Sequence, residues 1–159
     1  MSGSAGQLYK QKIKPEIAVY LDEHYPGFFE KLLRFVEAEE DEGAATGLNL
    51  NGGTASSGKP GADVLTIPAE GRIEILCTII SIRNCAGGAG ITVRAYTNVN
   101  GVEEEIYSQA FTKGTDPDGV MVVNGNFGAN ETVRLEMHSD NGADTGVDVP
   151  YKAIWRRLE

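Results

Sequence analysis

The sequence predicts a mainly β protein, an antiparallel β-sandwich of jelly-roll-like type with a short N-terminal helical appendage. Three observations lead there. From Gly61 onward, apolar and polar residues alternate with period two in seven short runs. Clusters of Gly, Asn, Asp and Pro punctuate those runs, and no helical pattern separates them. Before residue 43 the apolar spacing is instead that of helices. The 159 residues therefore divide into an N-terminal arm with two short helices over 1–42, a Gly/Ser-rich linker over 43–61 and a sandwich over 62–159.

In the first helix Pro15 suits the opening turn, and Ile17, Tyr20, Leu21 and His24 recur at helical spacing. Tyr25-Pro26-Gly27 ends it, because the residue before proline is pushed out of the helical region. In the second, Phe28, Phe29, Leu32, Leu33 and Val36 form one apolar stripe, Glu30 and Arg34 sit four apart on the other side, and Gly43 is the stop. Glu37, Glu39, Glu40, Asp41 and Glu42 crowd the negative end of that helix dipole, so its end is expected to fray.

The segment that follows, GAATGLNLNGGTASSGKPGAD, offers little to fold around. Ordering some twenty such residues costs about 1–2 kcal/mol each in backbone entropy, and Leu48 and Leu50 alone offer appreciable burial in return. It is expected to be a flexible tether, held by another surface through Leu48 and Leu50 wherever it is ordered.

The seven strands are VLTIP, RIEILCTIISIRN, ITVRAYTNVN, EEIYSQAF, GVMVV, ETVRLEMHS and VDVPYKAIWRRL. Asn100-Gly101 has the composition of a tight hairpin turn. Val133, Leu135 and Met137 point one way, with Thr132, Arg134, Glu136 and His138 on a wet face. In IEILCTIISI, Ile73, Ile75, Cys77 and Ile79 oppose Leu76, Ile80 and Ile82, so that strand is expected to be covered on both sides.

Composition excludes several functions. A net charge of −9 and a pI near 4.7, with no cluster of Lys and Arg, argue against nucleic acid as a partner and against an anionic membrane surface. No secretion signal or membrane-spanning run is evident, and a soluble, unexported chain is expected. Cys77 and Cys85, eight residues apart on an extended segment, would lie about 26 Å from each other and read as free thiols. His24 and His138 have no partner at metal-ligand spacing, no nucleophile sits in an elbow motif, and the chain is expected to be no enzyme, with neither cofactor nor resident metal. Asp116, Asp118, Asp140, Asp144 and Asp148 offer oxygen ligands for calcium, but Asp beside Gly or Pro also serves turns. Carbohydrate binding would need exposed aromatics. Trp155, however, shares a face with Val147, Val149, Tyr151 and Ala153, and Tyr96 and Tyr107 read as a cross-strand pair.

The helical stripe is the stronger signal. Five large apolar side chains represent about 10 kcal/mol of burial, so the stripe needs a partner: its own sandwich, the preceding helix or another chain. Phe28, Phe29, Leu32, Leu33, Val36, Leu48 and Leu50 are the expected assembly contacts.

The segments TIPAEGRIEILCTIISIRN, ITVRAYTNVNGVEEEIYSQAF and VDVPYKAIWRRLE, set behind a helical anchor and a glycine-rich connector, resemble small structural proteins of tailed-phage virions. The resemblance implies a head-decoration, adaptor or fibre component assembled in the host cytoplasm. It implies other protein subunits as partners, including copies of itself in a homo-oligomer. The alternative is a carbohydrate- or ligand-binding module, aided by calcium at the Asp-rich loops.

Overall fold

The computed structural model describes residues 20, 21, 23–26, 39–67 and 71–158. Among the described residues there are eight strands: β1 Glu39–Asn49, β2 Ala62–Ile67, β3 Arg72–Ser81, β4 Gly90–Val99, β5 Val102–Thr112, β6 Gly119–Ala129, β7 Val133–Ser139 and β8 Thr145–Leu158. They form two antiparallel four-stranded sheets, ordered β1-β8-β3-β6 and β2-β7-β4-β5. The chain is thus mainly β. Between the sheets lies one core in which Ile67, Ile73, Ile75, Ile80, Ile82, Ile91, Val93, Leu135, Met137 and Val149 are buried, with Trp155 beside them.

Each of the seven expected strands overlaps an observed one, and Asn100 and Gly101 both adopt positive φ at the β4–β5 turn, with Val99 opposite Val102. The eighth strand replaces the expected tether. Glu39–Asn49 pairs antiparallel with β8, from Glu39 opposite Trp155 to Asn49 opposite Thr145. Small residues with little strand propensity make this pairing possible, because Tyr151 lies across β1 at Gly43, where a Cβ would come within 3.2 Å of its hydroxyl. Glu39, Glu40, Asp41 and Glu42 of the acidic run expected at a helix end open β1, Glu37 lying outside the described residues, and Lys152 forms ion pairs with both Glu40 and Glu42.

The chain then drops into the core. Leu50 is fully buried, its N–H donates to the Asp144 carbonyl at 2.9 Å, and its carbonyl accepts from Ser139 N at 3.0 Å. The surface that holds the segment is the chain's own sandwich. Residues 53–61 continue as a small loop, bridged between Thr54 and Pro60 and tied by Ala55 N to the Lys59 carbonyl at 3.0 Å. It lies close to its neighbours: a Cβ at Gly53 would stand 2.3 Å from the Asn49 carbonyl oxygen, and one at Gly61, where φ is +126°, 2.5 Å from that of Met137.

Two further expectations change. A β-bulge between Ile75 and Cys77 shifts the pleat of β3, so Ile73 and Ile75 before it, and Thr78, Ile80 and Ile82 after it, all face the core. The run of apolar residues follows this switch of phase, and among the described residues Leu76, Cys77 and Ile79 are half-buried on the outer side. The polar face of β7 is likewise not wet, since Arg134 and Glu136 are buried beneath the 53–61 loop.

Of the two expected helices, Tyr20, Leu21, Glu23 and His24 are helical, closed by Tyr25 N donating to the Leu21 carbonyl at 2.9 Å. His24 Nδ1 hydrogen-bonds the Tyr20 carbonyl at 2.9 Å, and the two rings stack at 4.0 Å. The apolar stripe falls outside the described residues.

Candidate functional site

Among the described residues, the outer face of the β2-β7-β4-β5 sheet carries the densest set of charges. At its centre the Arg134 guanidinium meets Glu136, Asp63 at 2.7 Å and Glu103 at 2.6 Å, and lies 4.8 Å over the Tyr96 ring. Burial disfavours its charge, but the bonds to Glu103 and Glu136 outweigh that and raise its pKa. Glu136 has no exposure; Ser57 donates to it from N at 3.0 Å and from Oγ at 2.8 Å, and Arg94 stands 3.9 Å away. Asp63 accepts from the Ser56 backbone and hydroxyl.

A second group closes the other flank. Lys59 pairs with Glu105 at 2.6 Å, Tyr96 donates its hydroxyl to the same carboxylate at 2.9 Å, and Arg94 reaches the Pro60 carbonyl at 3.0 Å. The Lys59 bond holds the Glu105 carboxyl below its ordinary range and raises the Lys59 pKa. Burial lifts Asp63, but the Ser56 bonds and Arg134 bring it below its ordinary value. The network clamps the 53–61 loop onto the sheet, with each cation set against a carboxylate.

Sequence reading missed this cluster because Arg134 and Glu136 alternate with core residues as a solvated face would. The only visible signal was Arg94 and Arg134 on two strands beside Glu103, Glu105 and Glu136. Tyr96 and Tyr107 are not a cross-strand pair. A bulge sets Ala95 opposite Tyr107 and Tyr96 opposite Glu105, so Tyr96 faces the charges while Tyr107 packs against the core.

The aspartates proposed as calcium ligands serve the turns. Asp116 accepts from Thr112 N at 2.6 Å, Asp140 from Gly90 N at 2.8 Å and Asp148 from Gly47 N at 2.9 Å, while Asp118 pairs with Lys113. Buried Asp144 accepts from Ala86 N at 2.7 Å and Ser139 Oγ at 2.5 Å. Nearby Cys85 is buried, and desolvation together with the charge of Asp144 pushes its thiol up to about 11, so it is protonated at neutral pH. His138 is half-buried on β7, opposite Thr92.

Of the expected assembly contacts, Leu50 lies wholly inside the core and Leu48 packs half-buried against it; these two hold the chain to itself. Phe28, Phe29, Leu32, Leu33 and Val36 lie outside the described residues. What the surface does present is β5. It is the end strand of its sheet, its side chains are exposed along nearly the whole length, and Val99, Val102 and Ile106 at this edge are 50%, 58% and 41% exposed.

No family model matches the chain. No curated protein matches it. Among solved structures it is similar to the Drosophila NLP core, described as giving insight into pentamer formation and histone binding, at 13% identity over 76% of this chain and 99% of that one, with a TM-score of 0.43. It is also similar to VP2 of the infectious bursal disease virus subviral particle, at 11% identity over 75% of this chain and 33% of that one, with a TM-score of 0.37.

Proposed function

We propose that this chain is a non-enzymatic structural component of a virion or comparable protein assembly. The observation that carries the proposal is β5, an eleven-residue strand that among the described residues pairs on one side only, beside an apolar hairpin tip. Such an edge presents backbone groups to a partner, and the bulge at Ile106 together with Glu103, Glu104 and Glu105 restricts which partner can use it. The strand orders 1-8-3-6 and 2-7-4-5 support reading the sandwich as a jelly roll, a double sheet of two Greek keys that recurs in viral shells. On this reading residues 1–38 anchor the sandwich to neighbouring subunits, and the chain belongs in particles assembled in a host cytoplasm. Light scattering and electron microscopy of the purified chain test it. A closed oligomer is expected, and a chain that stays monomeric at high concentration contradicts the proposal.

A glycan-binding module is the second reading, favoured by one feature. A shallow depression at the hairpin tip is lined by Thr97, Asn98, Asn100, Phe127, Asn130 and Glu131, a mixture of amides and one ring. Binding on a glycan array, lost in Asn98→Ala and Asn130→Ala, would favour it.

A further inference from the structure

We propose that the outer face of the β1-β8-β3-β6 sheet is covered by residues 28–36 of the same chain, with their apolar stripe laid against it. The inference goes beyond the assembly reading and does not rest on it: with residues 28–36 seated on their own sandwich, residues 1–27 remain to reach a neighbouring subunit.

The inner face of this sheet belongs to the core, where Ile75, Thr78, Ile80, Ala153 and Trp155 are buried. The residues that point outward are less polar than a wet sheet face requires. Ile79 stands between Met121 on β6 and Lys152 on β8, and Cys77 stands opposite Ile154. Among the described residues Leu76, Cys77, Ile79 and Ile154 are half-buried, Met121 is 48% exposed, and no strand lies over them. Lys152 adds its aliphatic stem, its amine held by Glu40 and Glu42. Further along β1 the face dips into a groove of about 420 Å³ lined by Ala44, Ile79, Ser81 and Pro150.

The chain carries a matching surface immediately ahead of β1. Phe28, Phe29, Leu32, Leu33 and Val36 fall on one side of the helix that the sequence predicts, and Phe35 falls beside Phe28 and Leu32 on that side. Stripe and sheet face are thus two apolar surfaces on one chain, each in need of cover. Only Glu37 and Ala38 separate Val36 from Glu39, the first residue of β1, and a helix-to-strand joint of two residues is of ordinary length. Glu40 lies opposite Ile154, so the chain enters the sheet beside the apolar face. A helix over residues 28–36 is about 13.5 Å long, and turned back along β1 it spans about four strand positions. Val36 then lies over Ile154 and Cys77, and Phe28 and Phe29 lie over the groove beside Ala44.

The same short joint decides the occupant. It holds the stripe over its own sheet at a high effective concentration, and the stripe of a second copy would have to displace it.

Cys77 reports on the cover, and buried Cys85 on the sandwich beneath it. The full-length chain is treated with iodoacetamide under native conditions, and each cysteine is followed by peptide mass spectrometry. Cys77 is expected to react at least about tenfold more slowly than in a chain carrying Leu32→Asp and Leu33→Asp, with Cys85 unreactive in both. Protection is expected to be the same at low and high protein concentration, so a monomeric chain with Cys77 protected overturns the assembly reading alone. Equal Cys77 rates in the two chains overturn the inference, and so does protection that is lost on dilution, which would give the cover to another copy. A second measurement leaves the sheet and most of the stripe intact. The Val36→Cys chain, oxidised with glutathione disulfide, is expected to link that position to Cys77 within one chain. No link, or a link only between chains, overturns the inference whether or not the double variant folds.

Discussion

At the scale of single residues, Leu50 and Thr78 show how far burial departs from sequence context. Leu50 sits in a glycine-rich stretch yet is as deeply buried as any isoleucine of β3. Leu50→Ala is expected to cost about 3 kcal/mol in denaturant unfolding, independent of protein concentration, since it opens a cavity inside one chain. A loss that shrank on dilution would place Leu50 at an interface instead. Thr78 is buried with its hydroxyl lacking a hydrogen-bond partner in the described structure. Thr78→Val keeps the shape and removes the unpaired group, so a gain of about 1 kcal/mol is expected in the same measurement. Trp155 was legible as core from its strand face alone. Thr78 was not, because a bulge two residues earlier decides which way it points.

At the scale of elements, the 53–61 loop and the β7 face it covers form one unit, held by Ser56, Ser57 and Lys59 against Asp63, Glu136 and Glu105. Asp63 and Glu105 have carboxyls below their ordinary values. A group depressed on folding contributes stability above its unfolded pKa, near 4, and loses it as pH falls through the lower folded value. Amides of residues 54–60 are therefore expected to lose exchange protection below about pH 4, before those of β3 and β4. Equal protection at pH 6 and pH 3 would show that these carboxylates do not hold the loop. The β4–β5 hairpin could be read directly, because Asn-Gly states its turn locally. β1 could not, since Gly43, Ala44 and Ala45 gain their strand only from β8.

At the scale of the whole molecule, the structure brings residues 39–61 into the sandwich, through β1 on β8 and Leu50 in the core. A chain lacking residues 1–38 is expected to fold and to unfold cooperatively. One lacking residues 1–61 loses β1 and Leu50 and is expected not to fold; circular dichroism and thermal scans distinguish the two. If the shorter chain were as stable as the longer, β1 would be an appendage after all. By itself the sequence determined the mainly β class, seven strand positions, the hairpin turn and the acid balance, because period-two burial and turn chemistry act between near neighbours. Only the tertiary structure decided that residues 39–61 close one sheet and cover the other, that Arg134 and Glu136 are buried, and that β5 is left at an edge. Those outcomes depend on which distant strands become neighbours, and no local pattern carries that information.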